Sequence, residues 1–137
     1  MSITVCTGKL HRVVVTAAKL NYEGSITIDT VLMKAAGMVP FQLVHINSMA
    51  NAAHWETYII PSQKPGSGEI CLNGCPARIF QPGDEVIILS LEQLSRQKAE
   101  KALHNVVYVD KKNKPVSIET KKVSESVHIK IVQKQKL

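Results

Sequence analysis

The residues Gly24 and Ser25, in the segment NYEGSITID (21–29), form a pair that could cleave its own peptide bond. A serine hydroxyl that follows a strained glycine can attack the preceding carbonyl carbon, so that an ester replaces the amide. This reaction needs a base for the hydroxyl and a donor for the oxyanion. Gly-Ser pairs are also common in plain turns, where Gly24 would supply an unusual backbone torsion. The pair alone does not decide between these two interpretations.

The cysteines and histidines do not have the spacing of a metal site. Cys71 and Cys75 lack a second Cys/His pair, which a zinc site normally has. The histidines that could complete one are scattered, at His45, His54, His104 and His128. We therefore predict no bound metal. Three cysteines are also an odd number, which favours a reducing, cytoplasmic location over a disulfide framework.

The elements around the Gly-Ser pair are predicted to be short strands and one helix. Val13 to Thr16 is a β-branched run, and Ser25 to Asp29 alternates apolar and polar residues, so two strands flank the intervening turn. Asp29 and Thr30 have the residue types of a helix N-cap and Gly37 that of a stop, which predicts a helix over 31–36. Further strands are predicted at Leu43–Ile46, Thr57–Ile60, Glu69–Leu72 and Val106–Val109.

The later part of the chain completes a mainly β pattern. Glu85 to Leu91 is apolar at nearly every position, which is typical of a strand buried on both faces, and Leu91 to Leu103 has a weak helical pattern. Six or more short strands with one or two short helices favour a small closed barrel over an open sheet. We place this single domain at residues 1–115. Residues 116–137 form a basic C-terminal tail that need not be fully ordered, although Val127 to Val132 alternates like an extra strand.

Composition and charge exclude several classes of function. With 45% hydrophobic and 20% charged residues among 137, the chain is globular rather than disordered. Its formal charge of +6 is concentrated near the C-terminus, where Tyr108 is the one nearby aromatic residue. Binding of nucleic acid normally uses several stacking surfaces, so we predict no nucleic-acid partner. Val13 to Ala18 is too short for a signal-peptide core and no segment approaches a membrane span, so we predict no membrane partner.

Five stretches carry a resemblance that covers most of residues 3 to 110. They are GKLHR (8–12), NYEGSITID (21–29), Thr57-Tyr58, Asn73-Gly74 and PGDEVII (82–88). In this order and spacing they resemble the bacterial pyruvoyl-dependent aspartate 1-decarboxylase family. The resemblance implies a six-stranded double-psi β-barrel, a homotetramer, and self-cleavage after Gly24 into fragments 1–24 and 25–137. Ser25 would then become a covalent pyruvoyl group, whose ketone takes up the electrons released when an amino acid loses CO₂.

The resemblance also implies roles for individual residues. Ser25, Thr57 and Tyr58 would be catalytic: Thr57 holds the oxyanion during self-cleavage, and Tyr58 protonates the carbon left after decarboxylation. The substrate-binding residues would be Lys9, His11, Tyr22, His54, Thr57, Asn73, Gly74 and Cys75, with Lys9 pairing with a substrate carboxylate. By residue type alone, Lys9 would be a solvated strand-end lysine and Thr57-Tyr58 an ordinary strand pair, and His11 could equally be a structural histidine.

The sequence departs from this family at the substrate end of the site. His54 stands where the family carries an arginine, three residues before the Thr-Tyr pair. A mostly neutral histidine binds a carboxylate less well than the planar fork of arginine. Asn47 replaces an aromatic residue of the best-known members, and Cys75-Pro76 replaces alanines, so that one main-chain N–H near the cofactor is missing.

The predicted function is a self-processing decarboxylase of a small amino acid. The resemblance implies conversion of L-aspartate to β-alanine and CO₂ for pantothenate synthesis. One alternative is a decarboxylase of another small amino acid, and the other is an unprocessed, inactive barrel that acts as a binding subunit. The sequence leaves open whether cleavage needs a maturation factor, since the local strain and base depend on geometry.

Overall fold

The computed structural model describes residues 1–123 and 128–137 as a mainly β chain with two short α-helices. The strands are β1 Ser2–Val14, β2 Ala17–Lys19, β3 Ser25–Ile28, β4 Leu43–Ser48, β5 His54–Pro61, β6 Ile70–Asn73, β7 Glu85–Ser95, β8 His104–Val109, β9 Pro115–Val123 and β10 Ile129–Lys136. The helices are α1 Thr30–Ala36 and α2 Arg96–Glu100, and a 3₁₀ helix covers Cys75–Arg78. The prediction of a mainly β fold with one or two short helices is confirmed.

Hydrogen bonding links the strands in the order β10-β9-β8-β1-β7-β4-β5-β3-β6-β2. The pairs β1/β8, β2/β6 and β3/β5 are parallel, whereas β7 pairs with both β1 and β4 in antiparallel fashion. Across the described residues this order has two ends, β10 and β2. The closed six-stranded double-psi barrel therefore stays a prediction. In the same part of the chain, neither helix has the length and apolar character that crossing a membrane would require.

The hydrophobic core lies on one face of the central strands. Leu10, Ile88 and Ile46 are fully buried at matched register positions on β1, β7 and β4. Ile26 and Ile59 continue the core as a matched, fully buried pair on β3 and β5. Burial of each such side chain contributes about 1.5–3 kcal/mol. A one-residue slip would expose the whole set, so these residues fix the register that positions the polar side chains around them.

Helix α1 begins at Thr30, one residue earlier than the sequence predicts, and ends where the sequence predicts. The Asp29 carboxylate caps it by accepting from the Val31 backbone N–H over 3.0 Å. The same carboxylate accepts from the N–H groups of Gly66 at 2.9 Å and Gly68 at 2.7 Å, and so ties the helix to a distant loop. Gly37 ends the helix in the left-handed region, with φ of 73°. The predicted helix and both of its caps are confirmed.

Two predictions for the later chain are wrong. The strand β7 is not buried on both faces, because only alternate residues from Val86 to Ser90 are buried and those between them are partly exposed. The predicted helix over 91–103 is strand as far as Ser95, and α2 then covers only five residues, with none buried. The weak helical pattern fails because β7 pairs with β1 along its length, as far as Ser95 opposite Ser2.

The predicted basic tail contributes two strands to the edge of the sheet. β9 pairs with β8, and β10 pairs with β9, with every residue of β10 exposed. Of the strand predicted over 127–132, residues 129–132 lie in β10, whereas Val127 lies outside the described residues. The division of the chain at residue 115 into domain and tail stays a prediction.

Candidate functional site

The Ser25 hydroxyl is buried and held from two sides. Ser25 begins β3, is 1% exposed, and lies opposite Asn73 of β6. Its hydroxyl donates to the Glu23 carbonyl oxygen over 3.2 Å and accepts from Asn73 Nδ2 over 3.0 Å. Because the hydroxyl both donates and accepts, its proton and lone pairs are fixed in direction. These contacts surround an intact Gly24–Ser25 peptide bond.

Asn73 is itself held in place by neighbouring side chains. It is 2% exposed, and its Nδ2 also donates to Thr27 Oγ1 over 3.0 Å. Its Oδ1 accepts from Cys71 Sγ over 3.3 Å, and burial raises the pKa of that thiol, which keeps the proton on sulfur. Buried polar groups are costly unless they are hydrogen-bonded. The bonded set therefore fixes the amide that contacts Ser25.

The Gly74 backbone lies close to the Gly-Ser junction. Gly74 has φ of 79° and ψ of −141°. A Cβ added there would lie 2.9 Å from Gly24 Cα and 3.1 Å from the Tyr22 carbonyl oxygen, so only glycine fits without a shift. The prediction that Gly24 supplies the unusual torsion is wrong: a Cβ at Gly24 would meet no atom within 4 Å, and its φ lies outside the left-handed region. The constraint on the junction comes from Gly74 across the turn.

The pair Thr57 and Tyr58 directly precedes the part of β5 that pairs with β3. β5 lies parallel to β3, with Ile59 opposite Ile26. Tyr58 and Thr57 come one and two residues before this pair, and they themselves lie opposite Leu43 and Val44 of β4. Thr57 is 9% exposed and points to the core face, whereas Tyr58 points to the opposite, outer face. Their catalytic roles stay predictions.

Tyr22 and Asn73 line a cavity of about 290 Å³ next to Ser25. Its other lining residues are Lys19, Thr27, Ile60, Pro61, Gln63, Lys64 and Glu69. The size is near the lower end for ligand cavities, which suits a small polar molecule. Cys75 follows directly at the start of the 3₁₀ helix and is exposed. The adjoining Pro76 occupies the first turn of that helix, where a missing N–H removes no helical hydrogen bond.

Lys9 and His11 lie on β1, away from this cavity. His11 lines a separate cavity of about 350 Å³ with Tyr108, and the two ring centroids are 5.4 Å apart. Burial, followed by the charges of Lys9 and Arg12, lowers the pKa of the His11 imidazole. Lys9 pairs in register with Leu89 of β7. Within one chain, the described contacts therefore do not join these two residues to Ser25.

His54 lies at the start of β5, four residues before Tyr58 and so roughly 13 Å from it along the strand. Its Nδ1 is 2.7 Å from Asn47 Oδ1, and its Nε2 is 3.4 Å from Glu56 Oε2. His45 Nε2 lies 2.9 Å from the other carboxylate oxygen of Glu56. Sequence reasoning missed His45 and Glu56. Their signal is the spacing of two between polar residues on each arm of the β4–β5 hairpin.

The mainly β fold and the buried serine at a Gly-Ser junction fit the class of pyruvoyl-dependent decarboxylases. A family model described as aspartate decarboxylase matches residues 1–116. The aspartate 1-decarboxylase of Leptospira biflexa is 49% identical over 120 residues, which cover 84% of this chain and 98% of that protein. That of Ruminiclostridium cellulolyticum is 44% identical over 133 residues, covering 97% and 100% respectively. That of Bacillus subtilis is 50% identical over 111 residues, covering 81% and 87%.

The chain belongs to the aspartate decarboxylase family. The family resemblance found in the sequence is therefore confirmed. Of the residues to which that resemblance assigned roles, the fold brings Ser25, Asn73, Gly74 and Tyr22 together. It leaves Lys9, His11 and His54 on other parts of the sheet.

Proposed function

We propose that the chain is a self-processing aspartate 1-decarboxylase, which converts L-aspartate to β-alanine and CO₂ and so provides β-alanine for pantothenate synthesis. The observation that carries this proposal is the buried Ser25 hydroxyl, oriented by Asn73 and Glu23 at a Gly-Ser junction. It occurs in a chain that is 49% identical to a protein named aspartate 1-decarboxylase over 98% of that protein. A cytoplasmic location is part of the proposal.

In the proposed maturation, Ser25 Oγ attacks the Gly24 carbonyl carbon. The C–N bond breaks, the hydroxyl proton passes to the leaving nitrogen, and an ester joins the two residues. Loss of the Ser25 Cα proton then breaks the Cβ–Oγ bond, which frees the Gly24 carboxylate as a new C-terminus and leaves dehydroalanine. Water adds to residue 25 and ammonia leaves, which gives the pyruvoyl ketone. The Thr57 hydroxyl, two residues before the part of β5 that pairs with β3, would donate to the oxyanion of the first step.

The residues around Ser25 fit the group that this chemistry produces. When present, the ketone condenses with the substrate amine and takes up the electrons released with CO₂. The Asn73 Nδ2 donor, already aimed at Ser25 Oγ, would hold an oxygen of residue 25 after conversion. The Gly74 backbone would limit the space beside it, and the Tyr58 hydroxyl would return a proton to the product carbon. Lys9 and His54 would bind substrate carboxylates, and His11, Tyr22 and Cys75 would line the remaining pocket.

We include a homotetramer in the proposal because one chain leaves Lys9 and His54 away from Ser25. A second chain could bring these side chains to the Ser25 cavity. Three large apolar side chains are available for such contacts: Val39 is 58% exposed, Phe41 70% and Leu43 66%. Static light scattering of the purified chain measures the assembly directly, and a strictly monomeric active protein would contradict it.

The proposed barrel closure has support in two backbone hydrogen bonds. Val15 N–H donates to the Asp84 carbonyl oxygen and Thr16 N–H to the Ile70 carbonyl oxygen, each over 2.8 Å. These bonds tie the link between β1 and β2 to the residue before β7 and to β6. They bring the β2 end of the strand order back towards its centre, which a closed double-psi barrel requires.

The test is the intact mass of the denatured protein before and after warm incubation. The wild-type chain should give two fragments that meet at Gly24–Ser25, the larger with a pyruvoyl N-terminus, while Ser25→Ala stays whole. The processed protein should release β-alanine and CO₂ from L-aspartate in a panel of small amino acids. Turnover of a different amino acid would support the alternative decarboxylase. The contacts of His54 with Asn47 and Glu56 favour that alternative. A chain that stays whole even with cell extract, as a source of a maturation factor, would support the inactive binding subunit.

A further inference from the structure

We infer that the outer face of the β4–β5 hairpin binds a transition-metal ion, with Zn²⁺ the best match, through His45, His54 and Glu56. These three residues are called the hairpin triad below. The inference goes beyond the proposed decarboxylase and does not depend on cleavage at Ser25, and in it a metal ion takes the place of the substrate carboxylate as the partner of His54. It replaces the expectation from sequence that no metal is bound.

Strand register places the hairpin triad side by side. His45 of β4 lies opposite Glu56 of β5, and Asn47 lies opposite His54. Residues two apart on a strand share a face, so all four side chains point to the same side of the hairpin. Opposite residues in an antiparallel pair have Cβ atoms about 4.5–5.5 Å apart, a spacing from which histidine and glutamate side chains can converge. Paired strands, rather than a loop, therefore hold the donors.

The distances within the hairpin triad are close to those of a bound metal. His45 Nε2 is 2.9 Å from Glu56 Oε1, and His54 Nε2 is 3.4 Å from Glu56 Oε2. One donor atom from each residue lies within 4.8 Å of the others. Tetrahedral zinc with bonds of about 2.0–2.1 Å separates neighbouring ligand atoms by about 3.4 Å. Small side-chain rotations, without movement of the strands, would bring the three donors to that spacing.

Asn47 determines which nitrogen of His54 is available to a metal. His54 Nδ1 lies 2.7 Å from Asn47 Oδ1, which is an acceptor, so the ring proton is on Nδ1. The Nε2 lone pair of the neutral ring then faces the Glu56 carboxylate. Two electron-rich atoms in this position repel each other unless a cation, either a metal ion or a second proton, lies between them. An Nδ1–H bonded to a side-chain oxygen is also the arrangement that orients metal-binding histidines.

The donor set and its surroundings favour a divalent ion that keeps an open coordination position. Two imidazoles and one carboxylate are a ligand set of zinc sites that bind water or substrate in the fourth position. The side chains of His45, His54 and Glu56 are 30%, 44% and 63% exposed, so an ion can reach them from solvent. His45 and Glu56 also line a cavity of about 420 Å³ together with Glu92. This second carboxylate adds negative potential that attracts a cation.

The experiment titrates Zn²⁺ into the full-length wild-type and Ser25→Ala chains by isothermal calorimetry. We expect one saturable ion per chain in both proteins. His45→Ala and Glu56→Gln should each weaken binding at least tenfold, because the first removes a donor and the second replaces a charged carboxylate by a weaker, neutral amide oxygen. His104→Ala is the matched control and should bind as the wild type does, since His104 lies on β8, where its Nδ1 contacts the Cys6 carbonyl oxygen at 2.8 Å.

Co²⁺ in place of Zn²⁺ identifies the ligands in the same proteins. Visible bands without a thiolate charge-transfer band are expected, which would exclude the three cysteines as ligands. No saturable binding, a thiolate band, or unchanged binding in both His45→Ala and Glu56→Gln would overturn the inference. Intact mass records cleavage in every sample, so the metal site and the proposed maturation are judged separately.

Discussion

Replacement of Gly74 by alanine should slow or stop cleavage between Gly24 and Ser25. The new Cβ would lie 2.9 Å from Gly24 Cα and 3.0 Å from the Gly24 nitrogen, so the two backbones must move apart. In addition, φ of 79° with ψ of −141° is a conformation that favours glycine, and alanine there costs about 1–3 kcal/mol. The residue that moves, Gly24, carries the carbonyl that Ser25 attacks.

The size of the effect follows from how far the junction must shift. Backbone atoms that meet at 2.9 Å need several tenths of an ångström or more of separation. Misplacement of reacting groups by about 1 Å can slow a reaction about a hundredfold. We therefore expect the half-time of cleavage to lengthen by roughly ten- to a hundredfold. The free energy of unfolding should fall by about 1–3 kcal/mol, since the strain is also present before cleavage.

The assay is intact mass at intervals during warm incubation, with urea unfolding measured in a Ser25→Ala background. Gly66→Ala is the matched control: Gly66 has φ of 81°, and a Cβ there would meet no atom within 4 Å. It should lose stability through backbone strain but still cleave at nearly the wild-type rate. Wild-type cleavage by Gly74→Ala, or equal slowing in both variants, would refute the view that contact with Gly74 positions the junction.

Three further changes test one residue of the site and two other parts of the fold. Asn73→Ala removes the donor to Ser25 Oγ at 3.0 Å and should slow cleavage roughly tenfold or more in the same mass assay. Asp29→Ala removes a helix cap and two loop hydrogen bonds and should lower the free energy of unfolding by about 3 kcal/mol in urea. By NMR, His11 should titrate with a pKa below the ordinary 6.5, and Lys9→Ala should raise it. Because the folded-state pKa is lowered, the contribution of His11 to stability is present above pH 6.5 and is lost as the pH falls.

Local sequence signals predicted the parts of the fold that local interactions determine. Asp29 and Gly37 marked both ends of α1, because a cap acts within a few residues of the chain. The same signals failed for β7, whose apolar run indicated burial on both faces. The residues between Val86 and Ser90 alternate in burial because β1 and β4 flank the strand while its outer face stays partly open. That environment depends on strand order, which the run itself does not encode.

The candidate site also combines residues that the sequence identifies with contacts that depend on the fold. The Gly-Ser junction and the Asn-Gly pair could be named from the sequence, yet their contact depends on Ser25 lying opposite Asn73, 48 residues away in sequence. The hairpin triad depends on one register, His45 opposite Glu56. A shift of one residue in that register would point these side chains to opposite faces. The histidines are therefore not spaced in the sequence like the ligands of a metal site, although strand pairing brings two of them together.

Maturation and substrate binding place separate physical demands on this chain. The proposed cleavage uses the contacts of the Ser25 hydroxyl with Asn73 and Glu23, and these hydrogen bonds depend on one another, so a change at one of them disturbs the other. His54 lies roughly 13 Å along β5 from Tyr58 on a partly exposed face, where a different side chain leaves the Ser25 contacts intact. An arginine at this position could not take the place of the His54 imidazole, because its guanidinium has no lone pair to offer a metal. His54 is thus expected to weaken the binding of a substrate carboxylate, and the same residue enables the hairpin triad to bind a cation.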